Sequence, residues 1–192
     1  MSSEKERGIL EAAKQSFATF GYKATTIDQI TRLAGVGKGT LYLFFKNKEE
    51  LFQSILDQEI TQLKSIAKEA LAAEESLEQR LYRALLRIFD YRQDHQFLLK
   101  MTQEVREMGT PAAKEATRQI EDAIVSFIKG EIEQGIKSGE IKNCPPELTA
   151  FVMLELYVTL VFRWAEQHEA LEREQVAEFF DLYLMSGLKQ TQ

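Results

Sequence analysis

Apolar residues recur every three to four positions along most of the chain, which is the spacing of one face of an α-helix. Ile9, Leu10, Ala13, Phe17 and Phe20 form such a face within the first twenty residues. Runs that alternate apolar and polar positions, as a half-buried β-strand requires, do not stand out. The pattern therefore predicts an all-α protein.

Capping residues and helix breakers divide this pattern into about nine helices. Thr26 stands three residues before Gln29, and Asn47 three before Glu50, which is the spacing of an N-terminal capping box. Glycines follow the first two segments, as helix C-termini prefer. The predicted helices cover residues 4–20, 27–34, 38–44, 48 to beyond 70, 77–95, 96–108, 112–138, 147–169 and 172–188.

Two short helices flank Gly35-Val36-Gly37, which is the arrangement of a helix–turn–helix. Glycine permits the left-handed backbone of such a turn, and Val36 can anchor the turn in the core. A recognition helix in a DNA major groove needs small or hydrogen-bonding residues near its start. The second helix supplies Lys38, Gly39, Thr40 and Tyr42 there.

Charge supports a local anionic partner. The whole chain has 24 basic and 30 acidic residues and a net charge of −6, which argues against affinity for nucleic acid over the whole surface. Between Phe20 and Lys48, however, five basic side chains face one acidic side chain. A chance cluster of surface lysines would give the same count, so charge alone leaves both interpretations open.

Lys48 occupies the first position of a predicted helix. A cation there opposes the helix dipole and is mildly destabilising. A bound phosphate would account for it, because helix N-termini and ammonium groups both hold anions. The alternative is a solvated lysine that tolerates a few tenths of a kcal/mol.

The motif that combines these features is Thr25-Thr26-Ile27-x-x-Ile30-x-x-x-Ala34-Gly35-Val36-Gly37-x-Gly39-Thr40-Leu41-Tyr42-x-Phe44-Phe45-x-x-Lys48-Glu49-x-Leu51. It resembles the DNA-binding domain of the TetR family of bacterial transcriptional regulators. The resemblance implies a helix–turn–helix domain over residues 1–47 and an effector-binding and dimerisation domain over residues 48–192.

The resemblance also implies residue roles. Thr26 and Lys48 would hold phosphates, and Phe45 would brace the third helix from the core. Two positions depart from the family pattern: Gly37 replaces the usual serine, and Phe44 replaces the usual tyrosine or histidine, so that Phe44 would pack on sugars or a thymine methyl. The predicted DNA-binding residues are Thr26, Lys38, Gly39, Thr40, Leu41, Tyr42, Phe44 and Lys48.

The last two predicted helices are apolar around most of their circumference, so they must be covered by the protomer or by a partner. The resemblance implies a symmetric homodimer through them, which would let the protein read two half-sites of a pseudo-palindromic operator. The predicted interface residues are Tyr157, Val161, Trp164, Phe180 and Leu184.

The middle helices carry aromatic residues and methionines at helical spacing. Such residues are ordinarily core, but the same types line pockets for small apolar ligands. Glu155 belongs either to a solvent-facing polar stripe or to such a pocket. We hypothesise an apolar small-molecule effector, and the predicted pocket residues are Phe89, Phe97, Met101, Glu104, Val105, Met108, Phe127 and Glu155.

The chain has few residues of the types that catalysis or metal binding requires. There are two histidines, His95 and His168, and one cysteine, Cys144, so no catalytic residue, metal site or cofactor is predicted. The apolar stretch from Thr149 to Trp164 is shorter than the roughly 20 residues of a membrane span and is expected to be a buried helix of a soluble, cytoplasmic protein.

The sequence thus predicts a dimeric repressor that an apolar effector releases from its operator. A helical protein–protein adaptor with a degenerate helix–turn–helix is the alternative, supported by Gly37 and Phe44. A third hypothesis is an enzyme, supported only by the presence of a core.

Overall fold

The computed structural model describes residues 4–72, 77–94, 97, 100, 101, 104 and 109–188. In this part of the chain every regular element longer than one residue is helical, which confirms the all-α class. The helices are α1 (Glu4–Ala24), α2 (Ile27–Ala34), α3 (Lys38–Tyr42), α4 (Lys48–Leu71), α5 (Leu77–Asp94), α6 (Pro111–Ser138), α7 (Pro146–Val158), α8 (Arg173–Phe180) and α9 (Ser186–Leu188).

The predicted capping signals occur as expected. The Thr26 hydroxyl accepts a hydrogen bond from the Gln29 N–H at the start of α2, and the Gln29 side chain accepts from the Thr26 N–H. The Asn47 side chain accepts from the Glu50 N–H at 2.7 Å at the start of α4. These bonds satisfy backbone donors that have no partner within the helix.

Two predicted helices are less regular than their pattern indicates. Residues 147–169 and 172–188 were each expected to form one continuous helix. Instead, α7 continues as a π-helix (Thr159–Arg163) and a 3₁₀ turn (Trp164–Glu166), and α8 continues as a π-helix (Asp181–Met185) before α9. Of the helix predicted over residues 96–108, both ends lie outside the described residues.

The chain divides into two compact units. The first comprises residues 1–62 and 92–120. Its buried core contains Phe17, Phe52 and Phe97, and Phe52 packs its ring against both of the others. The predicted domain boundary between residues 47 and 48 remains a prediction, because this unit also includes the first part of α4 and residues beyond position 92.

The second unit comprises residues 63–91 and 121–192. Its main core gathers side chains from α5 to α8, among them Phe89, Ile132, Met153 and Val176. The run Pro146–Glu166 is long and apolar enough to cross a membrane by length and composition, and 28% of its most apolar window is buried. The expectation of a buried helix is therefore wrong for the single chain, because α7 leaves apolar side chains exposed.

Candidate nucleic-acid interface

The turn between α2 and α3 fixes the direction of α3. Gly35 adopts φ 65° and ψ 30°, and its N–H donates to the carbonyls that end α2. The Val36 N–H donates to the Thr31 carbonyl at 3.0 Å, and the Val36 side chain packs against the first unit's core. Gly37 is the N-cap of α3 and makes no side-chain capping bond, as its departure from the family serine implies.

Leu41 sets which face of α3 points outward. It is completely buried in the first unit's core, so its side chain cannot touch DNA. Its assignment to the DNA-binding set is thus corrected: Leu41 anchors the helix. Thr40 is half-buried, whereas Lys38 and Gly39 are exposed and Tyr42 is 51% exposed.

Leu43 is a residue that the sequence interpretation missed. It caps the C-terminus of α3, and its side chain is 82% exposed, the highest value among the exposed large apolar residues of the described part of the chain. Phe44, assigned a DNA contact from sequence, instead packs partly buried against the core, while Phe45 is buried as expected. The sequence pattern did not show this, because the outward positions of Tyr42 and Leu43 follow from the burial of Leu41 in the folded core.

Lys38 is paired within the helix–turn–helix. Its ammonium lies 2.6 Å from a carboxylate oxygen of Asp28 on α2, and both side chains are more than half exposed. The hydrogen bond and the charge of Asp28 raise the pKa of Lys38. The pair links α2 to α3 and offsets one positive charge of the surface.

Lys48 has protein partners that the sequence did not indicate. Its ammonium donates to the Tyr22 carbonyl at 2.9 Å and to the Thr25 carbonyl at 3.0 Å, at the end of α1. Carbonyls at a helix C-terminus attract cations. These bonds account for a cation at the start of α4 without a phosphate, so the phosphate contact of Lys48 remains a prediction.

Tyr22 also binds Glu49. The Tyr22 hydroxyl donates to a Glu49 carboxylate oxygen at 2.7 Å. This bond is the main cause of a lowered pKa of Glu49. Burial, followed by the bond to Glu49, raises the pKa of Tyr22. The exposed Thr26 hydroxyl, four residues further along the chain, is engaged with Gln29 as the cap of α2.

The predicted pocket residues fall in different units. Phe97, Met101 and Glu104 belong to the first unit, and the first two are buried in its core. Phe89, Phe127 and Glu155 belong to the second unit, where Phe89 lies in its main core and Phe127 packs on a smaller cluster around Ala70 and Ala84. Val105 and Met108 lie outside the described residues.

The two predicted polar pocket residues both bind protein groups. Glu104 is 1% exposed and accepts from the Tyr22 N–H at 2.6 Å and the Thr110 hydroxyl at 2.7 Å, so it is a structural carboxylate rather than a ligand-facing one. Glu155 lies 3.6 Å from Arg163 and keeps 38% of its side chain exposed. Burial, followed by repulsion from Glu155, raises the pKa of Glu121.

The predicted dimer residues are corrected in part. Val161 and Phe180 are buried in the second unit's own core, so neither is available to a partner. Tyr157 and Leu184 pack partly buried against the same core, and Trp164 is 43% exposed and stacks on His168. Besides Trp164, the exposed large apolar side chains of the described part of these helices are Leu148, Phe151 and Val152 on α7, and Phe179, Leu182 and Tyr183 on α8 and its continuation.

Both exposed triplets follow the spacing i, i+3, i+4, which places each triplet on one helix face. Phe179 and Tyr183 also stack at a centroid distance of 5.6 Å. A helical projection of the apolar run contained this signal, but it did not say which apolar face the protomer covers. Among the described residues, no group of three histidine, cysteine, aspartate or glutamate side chains is arranged to hold a metal ion.

Comparison with known families matches both halves of the chain. The model for bacterial regulatory proteins of the tetR family matches residues 9–55. The model for the tetracyclin repressor-like C-terminal domain matches residues 70–188.

Individual relatives are also transcriptional regulators. The HTH-type transcriptional regulator YhgD of Bacillus subtilis is 49% identical over 188 residues, covering 98% of each chain. The fatty acid metabolism regulator protein of the same species is 27% identical over 136 residues, covering 70% of each chain. The crystal structure of FadR from Bacillus subtilis in complex with stearoyl-CoA has a TM-score of 0.77 at 23% identity, covering 94% of this chain and 98% of that chain. These relatives are regulators and not enzymes, as expected for this chain.

Proposed function

The chain belongs to the TetR family of bacterial transcriptional regulators, and on that premise we propose that it is a repressor that binds a pseudo-palindromic operator as a homodimer. The observation that carries the proposal is the outward face of α3. Leu41 anchors this helix while Lys38, Tyr42 and Leu43 are exposed beside it. A buried anchor with basic, aromatic and apolar side chains outward suits a helix that enters a major groove.

We assign the DNA contacts as follows. Tyr42, Gly39 and Thr40 face base edges or phosphates, and Leu43 contacts a thymine methyl, the apolar group that the major groove offers. Lys38 and the exposed Thr26 hydroxyl lie against phosphates. Lys48 contributes its charge, while two of its N–H donors hold the end of α1.

The homodimer is supported by the two exposed apolar triplets on α7 and α8. Phe151, Leu182 and Tyr183 are each at least half exposed, and clusters of this kind on a soluble domain mark interaction sites. A second copy would cover them by a self-complementary contact. Glu147, Glu155 and Arg163 lie in the same apolar run, and charged residues are rare within membrane-spanning segments. We therefore propose a cytoplasmic protein rather than a membrane-embedded one.

We further propose an effector with a long acyl chain, held in the second unit. One relative is a fatty acid metabolism regulator and one similar structure contains stearoyl-CoA. In this chain, partly buried apolar side chains of α5 and α6 pack around the second unit's core and would supply an apolar lining: Leu81, Leu85, Val125, Phe127 and Ile128. The effector releases DNA if it binds the non-operator state more tightly.

The operator proposal is tested by selection from random-sequence duplexes at two salt concentrations, followed by sequencing. We expect an enriched pseudo-palindrome whose enrichment is lost with Tyr42→Ala. Weak, sequence-independent binding that disappears at high salt would instead favour the adaptor with a degenerate helix–turn–helix.

The effector proposal is tested by thermal unfolding with stearoyl-CoA and, as the matched control, coenzyme A alone. Stabilisation by the acyl form only, together with release of the selected operator, is expected. Equal shifts with both compounds, or none with either, would contradict an acyl-chain effector.

A further inference from the structure

Glu104 is a buried carboxylate whose two oxygens are both used. Its side chain is 1% exposed. One oxygen accepts from the backbone N–H of Tyr22 at 2.6 Å, and the other accepts from the Thr110 hydroxyl at 2.7 Å. Burying a carboxylate costs free energy unless hydrogen bonds offset the loss of water. The two bonds therefore indicate that Glu104 has a specific structural role.

One of these bonds holds the backbone at the end of α1. Gly21 interrupts helical geometry with φ 81° and ψ 169°, and the following N–H of Tyr22 donates to Glu104. A Cβ on Gly21 would lie 2.5 Å from the Glu104 oxygen. The glycine therefore permits both the positive φ and the close approach of the carboxylate.

Tyr22 also contacts the first residues of α4. Its carbonyl accepts from the Lys48 ammonium, and its hydroxyl donates to Glu49. Its ring lies 4.3 Å from the same ammonium and packs on Phe52 at a centroid distance of 4.8 Å. The backbone N–H, carbonyl, hydroxyl and ring of one residue are thus each held by a different contact.

The end of α1 leads directly into the DNA-binding elements. Thr25 is 1% exposed, and its hydroxyl donates to the Gly21 carbonyl at 2.8 Å. The next residue, Thr26, is the N-cap of α2. A shift of the Gly21–Tyr22 backbone therefore displaces the start of the helix–turn–helix.

We propose that Glu104 is a positioning residue for DNA binding, which holds the Tyr22 backbone and thereby the junction of α1, α2 and α4. This role rests on the proposed function. Glu104 lies 82 residues from Tyr22 along the chain, in the segment that leads to α6. The contact between Glu104 and Tyr22 therefore links that segment to the start of the helix–turn–helix.

Hydrogen exchange on the protein without DNA tests the contact itself. Glu104→Leu removes both acceptors, whereas Glu104→Gln keeps one oxygen for Tyr22 and turns its amide toward the Thr110 hydroxyl, which can accept. We expect about tenfold faster exchange at the Tyr22 amide in Glu104→Leu and nearly unchanged exchange in Glu104→Gln. Ala116→Gly is the matched control, because Ala116 is 1% exposed in the same core but makes none of these bonds.

Operator binding tests the positioning role. At a temperature where every variant is folded, Glu104→Leu is expected to lose about tenfold in affinity for the selected operator, while Glu104→Gln and Ala116→Gly stay within about threefold. In a Lys48→Met background, Glu104→Leu is expected to cost less than about twofold more, because both residues act through Tyr22.

Three results would overturn the inference. One is operator affinity of Glu104→Leu equal to that of Ala116→Gly, another is full additivity with Lys48→Met, and the third is unchanged exchange at Tyr22. If Glu104→Leu does not fold, Thr110→Val, which removes only the hydroxyl that orients the carboxylate, should give a smaller effect in the same direction. Wild-type protein that selects no operator would overturn the proposed function, whereas the exchange comparison would still decide whether Glu104 holds Tyr22.

Discussion

The Lys48 ammonium lies 4.3 Å from the centroid of the Tyr22 ring and donates to the Tyr22 carbonyl oxygen at 2.9 Å. One cation thus serves two helices in opposite ways. At the first position of α4 the cation interacts unfavourably with the dipole of that helix, whereas at the end of α1 it interacts favourably with the dipole of α1. The second effect includes direct hydrogen bonds and a ring contact, so it outweighs the first.

Replacing Lys48 should therefore destabilise the protein. We expect Lys48→Met to lower the free energy of unfolding by about 1–3 kcal/mol, because two carbonyls lose a charged donor. Lys46→Met removes the same charge from an exposed neighbour and should change stability by less than about 0.5 kcal/mol. Urea unfolding monitored by circular dichroism provides the comparison, and equal losses in the two variants would contradict the prediction.

Asp28→Asn should strengthen non-specific DNA binding. It removes the partner that lies 2.6 Å from Lys38, so Lys38 reaches a phosphate without breaking an ion pair, and the DNA-facing surface carries one more net positive charge. We expect tighter binding to random duplex at low salt and a steeper salt dependence. Asp57→Asn, an equal charge change at an exposed position of α4, serves as the control in fluorescence anisotropy titrations. The same gain with both variants would indicate a general charge effect.

Leu41 and Leu43 should separate stability from DNA binding. Leu41→Ala empties a fully buried site and should cost about 2–5 kcal/mol of stability. Leu43→Ala changes a side chain that is 82% exposed, so stability should stay within about 0.5 kcal/mol. Operator affinity should fall in Leu43→Ala, and unchanged affinity would remove Leu43 from the interface.

Tyr183→Glu should dissociate the proposed dimer. Tyr183 is 65% exposed and stacks on Phe179, and a carboxylate there would be buried against the partner without a counter-charge. Sedimentation equilibrium should report a monomer for this variant. Tyr82→Glu, at an apolar site on α5 that is 41% exposed, should remain dimeric. A dimer that persists in Tyr183→Glu would place the interface elsewhere.

The Tyr22–Glu49 bond should make part of the stability depend on pH. The Tyr22 hydroxyl holds the pKa of Glu49 below its ordinary value. A lowered folded-state pKa gives stability that is present above the unfolded pKa and is lost as the pH falls through the folded one. The deficit of Tyr22→Phe relative to wild type should thus be full at neutral pH and shrink on acidification, whereas Tyr82→Phe should match wild type throughout. A deficit that does not vary between neutral and acid pH would exclude this linkage.

Local patterns were sufficient for the fold class and the motif. Periodicity predicted the helices, capping pairs predicted their starts, and Gly35 was correctly placed in a left-handed turn. Each of these signals acts over about four residues or fewer, so each can be recognised from the sequence alone. The same range explains why Leu43 was missed: a five-residue helix offers too few positions to reveal its buried face without the core that Leu41 enters.

The tertiary structure was needed for the features that depend on partners distant along the chain. Glu104 was predicted to be a polar pocket residue, yet it binds Tyr22, which lies 82 positions earlier in the chain. Lys48 likewise binds carbonyls at the end of α1, more than twenty residues earlier. The exposed face of α7 and α8 likewise depended on which apolar side chains the second unit's core accommodates. Sequence patterns were enough to predict an all-α regulator with a helix–turn–helix, because periodicity and caps are local. Charge partners and packing faces required the tertiary structure, because they depend on which distant groups folding brings within a few ångströms.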